Sequence, residues 1–325
     1  QSTILGIFSS EYMFLEINDI AKVLAYKQNV FTRYQYPLVY KFLYNLQNTL
    51  AKDLEAGFIL TSLSIKALKI FNKTNNTQSY QEFLTNESIH IGKIKKADLA
   101  RELEIPRETI RRKLNLLQEK DLINIKDNFF DVKIKAFEVA DLNTILRNYS
   151  KGVKLIIDDM VDKNKISFNK DLGDEYLNEK FTTHWLYILN MFIEIGLVWK
   201  KKLKSIEGWL IFGTCALNQM YNLRDNRNYY KLHKDDTENY YLNMISKETS
   251  NGLNPTTIAD LTGIPRQTVI RHLQTLVKIK ALEKDKKNNL FHLPKAKEKK
   301  KTIIEGINRV NLYISIGIQK NLQLI

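Results

Sequence analysis

Apolar residues recur at helical spacing along most of the chain and predict long helices joined by short polar turns. These helices are expected at about 35–52, 54–73, 136–160, 181–203, 206–224 and 300–322. Two shorter segments, 122–132 and 281–293, carry apolar residues around a polar tip and predict β-hairpins. The pattern therefore indicates a mainly α protein with two small β-hairpins.

An internal repeat organises the chain. Residues 99–117 and 258–276 align without a gap, with Ile105 and Pro106 matching Ile264 and Pro265. Flanking segments match in the same order, which favours duplication of a whole unit over a chance match. We expect two similar halves related by a pseudo-two-fold axis, in which the long helices pack together as a shared core.

The repeat sets the predicted domain boundaries. Each half is expected to place two long helices ahead of a module of two short helices and a hairpin, with a closing helix after it. The predicted parts are an N-terminal extension at 1–34, a first repeat at 35–160 with its module at about 80–135, a junction at 161–180, and a second repeat at 181–325 with its module at about 238–294 and its closing helix at 300–322.

The helices that follow Pro106 and Pro265 have an apolar back and a polar front. At helical spacing, Ile110 and Leu114 share one face, and Val269 and Leu273 share the matching face in the second copy. Arg, Asn, Gln and Glu are the side chains that read base edges in the major groove. The predicted base contacts are Arg107, Glu108, Arg111, Arg112, Asn115, Arg266, Gln267, Arg271 and Gln274.

Basic and hydroxyl side chains around these helices and in the hairpin wings are placed to meet phosphates, which adds affinity without sequence information. The predicted phosphate contacts are Lys95, Lys96, Thr109, Lys113, Lys126, Thr268, His272, Lys286 and Lys287. The predicted partner is double-stranded DNA, with RNA polymerase and a second copy of the chain as further candidates.

Composition and charge agree with a DNA-bound protein. The formal net charge is +14 and the isoelectric point is near 9.5, which favours a polyanionic partner. The single cysteine, Cys215, lies in an apolar stretch and predicts a buried thiol in a reducing cytoplasm. The longest apolar run, 185–199, is too short and too polar to span a bilayer and predicts a core helix. We expect a cytoplasmic, nucleoid-associated protein with no membrane partner.

Enzyme chemistry is not expected. The sequence shows no nucleophile elbow, P-loop or dinucleotide fingerprint. The five histidines are scattered, so neither a metal site nor a cofactor is predicted.

The motif at 105–114, Ile-Pro-Arg-Glu-Thr-Ile-Arg-Arg-Lys-Leu, resembles the winged helix-turn-helix of the Crp/Fnr family, and MarR-like regulators are a looser match. The resemblance implies base contacts by Arg107, Glu108 and Arg112. In the second copy the roles would fall on Arg266 and Arg271, while a different residue, Gln267, replaces the glutamate. The family's cyclic-nucleotide-binding barrel has no counterpart in this sequence.

We expect a transcription regulator that reads two dissimilar half-sites. Two alternatives remain at this point. A plasmid or phage replication initiator also uses tandem winged helices, on repeated DNA at an origin. A winged-helix interaction scaffold would show no steep salt dependence of DNA binding.

Overall fold

The computed structural model describes residues 16–26, 28–50, 52–75, 77–138, 145, 149, 151–154, 158, 179–224, 252–285, 287–294 and 301–322. Within them the fold is mainly helical with two small sheets, which confirms the predicted class at this level. Lys286 lies outside the described residues, as do most of the junction at 161–180 and the beginning of the second predicted module.

The first half consists of helices, one sheet and a 3₁₀ turn. Its elements are α1 (Ile17–Tyr26), α2 (Gln28–Thr49), α3 (Leu54–Thr74), α4 (Tyr80–Leu84), β1 (Ser88–Lys93), α5 (Lys96–Glu102), α6 (Arg107–Glu119), β2 (Ile123–Lys126), β3 (Phe129–Lys133) and the 3₁₀ turn Ile134–Phe137. The closing helix predicted at 136–160 begins later than expected, because Ala136 and Phe137 lie in the 3₁₀ turn; residues 145, 149, 151–154 and 158 are helical.

Within the described residues, the second half consists of two long helices, two short helices, a two-stranded sheet and a closing helix. Its elements are α7 (Phe181–Leu203), α8 (Ile206–Arg224), α9 (Pro255–Thr262), α10 (Arg266–Lys278), β4 (Glu283–Lys284), β5 (Phe291–His292) and α11 (Lys301–Leu322). The bounds of α7 and α8 are those that the apolar pattern predicts, and α11 lies within the predicted range 300–322. The domain boundaries themselves stay predictions.

The hairpins follow the short helices directly. In the first half the strand order is β1-β3-β2, all antiparallel, and β2 and β3 are joined through Asp127 and Asn128, both with positive φ. A two-residue turn with positive φ at both positions matches the twist of a hairpin. In the second half β4 pairs with β5, and Leu253 forms a bridge to Phe291 where a third strand would lie.

Local capping explains where the short helices begin and turn. Asn254 caps α9 by accepting a hydrogen bond from the Thr257 amide at 2.9 Å, with Pro255 in the first turn. The turn between the two short helices needs a left-handed residue in both halves. Glu104 takes it in the first (φ 53°) and Gly263 in the second (φ 70°). The two copies of the repeat therefore share the left-handed backbone conformation at this turn although the residue there differs.

The long helices of the two halves pack crosswise. Helix α3 packs against α7 and α8 packs against α2, so the second long helix of each half meets the first long helix of the other. Phe42 of α2 and Phe192 of α7 stack with centroids 4.1 Å apart and planes 3° from parallel. The buried apolar residues form one cluster that runs from Ile20 to Ile318. The long helices thus pack into a shared core, as predicted, and do so through contacts between opposite halves.

The two ends of the described chain also meet. Helix α1, which belongs to the predicted N-terminal extension, packs mainly against α11, and α11 packs along α7. Helix α1 therefore contacts the closing helix of the second half more than it contacts α2, which the sequence pattern did not indicate. Ile20 and Leu24 of α1 are fully buried in this contact region.

Within the described residues α7 is the one helix long and apolar enough to cross a membrane, and 61% of its apolar window is buried inside the protein. Such burial is typical of a core helix. Cys215 of α8 is buried as predicted, and burial raises the pKa of its thiol to about 12.

Candidate nucleic-acid interface

Helix α6 buries one face and exposes the other. Ile110, Leu114 and Leu117 are fully buried against the long helices and the sheet. The helix starts directly after Pro106, which occupies the N-cap position and lacks an amide that would need a partner. The side chains predicted to contact bases all lie on exposed positions: Arg107, Glu108, Arg111, Arg112 and Asn115.

Helix α10 shows the same division. Val269, Leu273 and Leu276 are buried, and the exposed positions are Arg266, Gln267, Arg271 and Gln274. Exposure of the arginines is the first requirement for reading DNA, and both helices meet it. Contact with bases stays a prediction.

The exposed fronts of the two helices differ in electrostatics. Arg111 donates to Glu108 at 2.6 Å, and this hydrogen bond lowers the pKa of the Glu108 carboxyl. A cytosine amino group that bonds to Glu108 must therefore compete with Arg111. In the second helix Gln267 and Ile270 stand at the matching positions, so no such ion pair can form there.

Lys113 does not face outward as predicted. Its ammonium forms an ion pair with Asp53, and the Glu55 carboxylate lies 3.9 Å away. Only 14% of the Lys113 side chain is exposed, and Asp53 is also the residue that caps α3. The ammonium of Lys113 is thus neutralised by carboxylates of the protein itself. This residue is therefore not positioned to contact a phosphate, contrary to the prediction.

His272 occupies the matching position of α10 and likewise faces inward. Its Nδ1 lies 3.2 Å from Oγ of Ser205, whose hydroxyl accepts a hydrogen bond from the Gly208 amide at the start of α8. Burial, and then the charge of Arg271, lower the pKa of His272. Because Nδ1 faces Ser205, a phosphate contact of His272 would have to use Nε2, and this contact stays a prediction.

The other predicted phosphate contacts that the structure describes are compatible with their role. Lys95, Lys126 and Lys287 are exposed, while Lys96 is half-buried at the start of α5. Thr109 and Thr268 are half-buried in the first turns of α6 and α10, where hydroxyls lie beside the helix N-terminus. These contacts stay predictions.

Sequence reasoning predicted Lys126 of the first wing as a phosphate contact and missed the exposed aromatic residue opposite it, Phe129. In the sheet register Phe129 of β3 lies directly opposite Lys93 of β1 on one side and Lys126 of β2 on the other, and all three are exposed. The ring of His90 stacks on Phe129 with centroids 6.0 Å apart, and His90 pairs with Asp131 at 2.7 Å. Strand alternation could have revealed this, because Phe130 points inward and Phe129 must then point outward.

An open groove of about 590 Å³ runs between α10 and the second hairpin. Arg266, Ile270 and Gln274 line one wall, and Lys284 and Phe291 line the other. Arg266 is held at the groove by donating from Nε to the Thr256 hydroxyl at 3.1 Å. The groove thus combines a partly apolar floor with cations at its edge, next to the residues predicted to read bases.

Comparison with known proteins supports the second helix pair as a DNA-binding element. Residues 247–286, which include α9 and α10, match the IclR helix-turn-helix domain. No curated protein and no solved structure gives a significant match. The match covers a short part of the chain and supports a helix-turn-helix DNA-binding regulator with double-stranded DNA as its partner; it names the IclR class and gives no support to the Crp/Fnr or MarR-like resemblance.

Proposed function

We propose that the protein is a sequence-specific transcription regulator that binds double-stranded DNA through two winged helix-turn-helix modules, one in each half of the chain. The observation that carries the proposal is the pair of helices α6 and α10. Each buries an apolar back and exposes an arginine-bearing front, and α10 belongs to the segment that matches the IclR helix-turn-helix domain.

Two reading helices in one chain would contact two half-sites, as a dimer of single-module regulators does. The helices differ at their fronts, with Glu108 and Arg111 in one and Gln267 and Ile270 in the other. The half-sites should therefore be dissimilar or form an imperfect palindrome. The base contacts that the Crp/Fnr resemblance implies for Arg107, Glu108 and Arg112 belong to this proposal.

The net charge of +14 supports a large electrostatic share of the binding free energy. Regulation in this form requires neither a cofactor nor catalysis and places the protein on DNA in the cytoplasm. A site that overlaps a promoter would bring RNA polymerase within reach of the bound protein, and a second copy of the chain could occupy a neighbouring site.

Selection of bound sequences from random duplexes with the intact chain tests the proposal. We expect two conserved half-sites whose centres are about one helical turn apart, roughly 34 Å, or a multiple of it. Mapping of genomic sites in the native host then separates a regulator, whose sites overlap promoters, from a replication initiator, whose sites repeat at an origin.

The control is the same selection with the double variant Arg112→Ala and Arg271→Ala, which should recover both half-sites with weakened preference at the base pairs that these arginines contact. A single conserved element from the intact chain, or binding that ignores sequence, would contradict the proposal.

A further inference from the structure

Lys200 of α7 holds the turn of the first helix-turn-helix. Its ammonium donates to the carbonyls of Leu103 and Glu104 at 2.6 and 2.8 Å. These carbonyls follow the end of α5, where backbone acceptors lack helical partners and the helix dipole favours a cation. A residue of the second half thus satisfies the turn that leads into the reading helix of the first half.

Helix α2 makes the corresponding contact with the second turn. The Asn48 side chain lies against Gly263, so closely that a Cβ added to the glycine would be 2.9 Å from Oδ1 of Asn48. The Tyr40 hydroxyl lies 3.5 Å from the carbonyl of Leu261 and accepts a hydrogen bond from Thr214 of α8 at 3.2 Å. The face of α2 that carries Tyr40 and Asn48 thus lies on the turn that leads into α10, the reading helix of the second half.

The two contacts are reciprocal. Asn48 lies one residue before the end of α2 at Thr49, and Lys200 lies three residues before the end of α7 at Leu203. The helix-turn-helix repeat aligns Glu104 with Gly263. The C-terminal ends of the two first long helices therefore touch equivalent turns in the opposite halves. Such mutual contacts are what a two-fold relation between halves produces.

We propose that Lys200 and the Tyr40–Asn48 face of α2 are positioning residues that set the distance and angle between the two reading helices, and through them the spacing of half-sites that the protein accepts. This inference rests on the proposed function. Each reading helix is joined to its turn by only a few residues, so a shift of the turn moves the helix with it. Base contacts tolerate displacements of only about half an ångström.

The electrostatic surroundings of Lys200 support a positioning role. The side chain is partly buried, and burial lowers the pKa of its ammonium, against the attraction of Glu55, Glu104 and Glu207. A desolvated cation contributes little net stability even when it is well paired, whereas its hydrogen bonds fix one geometry. Its neighbour Lys201 is exposed on the same helix and provides a matched control.

The test uses the intact chain and a series of duplexes in which the selected half-sites are moved apart or together by one or two base pairs. Wild-type protein should prefer one spacing sharply. Lys200→Met should flatten this preference and weaken binding at the optimal spacing by about tenfold, the order expected for losing charge-assisted hydrogen bonds, while binding to a single half-site is unchanged. Lys200→Arg should restore the preference, and Lys201→Met should retain it.

The double variant Tyr40→Phe with Asn48→Ala should flatten the spacing preference in the same way, because it releases the other turn. The inference is overturned if Lys200→Met keeps the wild-type spacing profile, if it weakens a single half-site as much as the paired site, or if Lys201→Met flattens the profile equally.

A second measurement decides the inference without DNA. Spin labels at positions 126 and 287, on the two wings, report the distance between the modules in the free protein, and buried Cys215 stays unlabelled. Lys200→Met, or Lys200→Gln if the methionine variant does not fold, should broaden this distance distribution. An unchanged distribution overturns the inference. A wild-type protein that binds no paired site contradicts the proposed function and leaves this distance test valid.

Discussion

At the residue scale, equivalent positions of α6 and α10 point toward the protein interior and carry different side chains. Lys113 pairs with Asp53, and His272 meets Ser205. In each case the partner caps the second long helix of the same half, so α6 is fixed to α3 and α10 is fixed to α8. At about 100° per residue, position 113 lies only about 60° from Ile110. The helical period therefore contained the signal that this lysine points inward.

The exposed arginines should carry sequence preference. Arg112→Ala and Arg271→Ala are each expected to cost about 1–3 kcal/mol of binding free energy at one half-site, because each removes one bidentate base contact. Competition between duplexes with a base change in either half-site measures this. The variants Arg112→Lys and Arg271→Lys control for charge. Equal losses on random DNA would show that the arginines contact only the backbone.

His272 should make stability depend on pH below neutrality. Its folded pKa is lowered by burial, while in the unfolded chain it titrates near about 6.5. As the pH falls through that value the unfolded state binds the proton more readily, so the free energy of unfolding decreases. Between pH 7.5 and pH 5.5 the melting temperature of the wild-type protein should fall more than that of His272→Gln. An NMR titration that places the His272 pKa above 6.5 would contradict this.

At the element scale, close helix crossings fix the core. A Cβ at Gly196 of α7 would overlap the ring of Phe58 on α3, whereas a Cβ at Gly213 of α8 would meet only Tyr40 Cδ2 at 3.9 Å. Both glycines lie inside long helices, where alanine has the better intrinsic propensity. The crossing of α3 and α7 is therefore the place where a small residue is required by packing.

Gly196→Ala should lower the free energy of unfolding by about 1–3 kcal/mol, because the added methyl forces Phe58 or the helix to move. Denaturant unfolding measures this. Gly213→Ala is the matched control and should be neutral or stabilising. Equal behaviour of the two variants would mean that the α3–α7 crossing is looser than the structure shows.

The first wing should contribute affinity rather than sequence preference. Lys126→Gln should make the negative slope of the logarithm of the DNA-binding constant against the logarithm of salt concentration shallower by about 0.9, the value for one phosphate contact. The selected DNA sequence should stay unchanged. Lys135→Gln is the control, because that ammonium already pairs with Asp121 at 2.6 Å. A changed base preference in Lys126→Gln would instead assign this lysine to base reading.

At the scale of the whole molecule, the crosswise packing ties the halves into one body. The buried cluster includes side chains of α1, α3, α7 and α11 without interruption. Thr182 and Thr183 at the start of α7 also bond to Gln78 and Thr77 ahead of α4. Neither half buries its long helices without the other.

The intact chain should therefore unfold in one cooperative transition. Tryptophan fluorescence reports on the surroundings of α7 and α8, through Trp185, Trp199 and Trp209, whereas far-ultraviolet circular dichroism reports on the whole chain. The two melting curves should coincide. Gly196→Ala should shift both together. Two separated transitions would show that the halves fold independently.

Much of the local structure could be predicted from periodicity. The long helices, the two reading helices, the hairpins and the buried Cys215 follow from apolar spacing and from turn residues, because these depend on neighbours within a few positions. The exposed front of α6 and α10 follows in the same way. Phe129 was missed although strand alternation indicated it, and the predicted start of the first closing helix was wrong because Ala136 and Phe137 take a 3₁₀ turn.

The sequence by itself determined where helices and hairpins form, which faces they bury, and that a unit occurs twice, since each depends on short-range spacing or on direct repetition. Only the tertiary structure decided that α2 and α7 cross to the opposite halves, that Lys113 pairs with Asp53, and that Lys200 reaches the turn at Glu104. These contacts join residues far apart in the chain, and the choice of which buried face meets which depends on the shape of the whole assembled core.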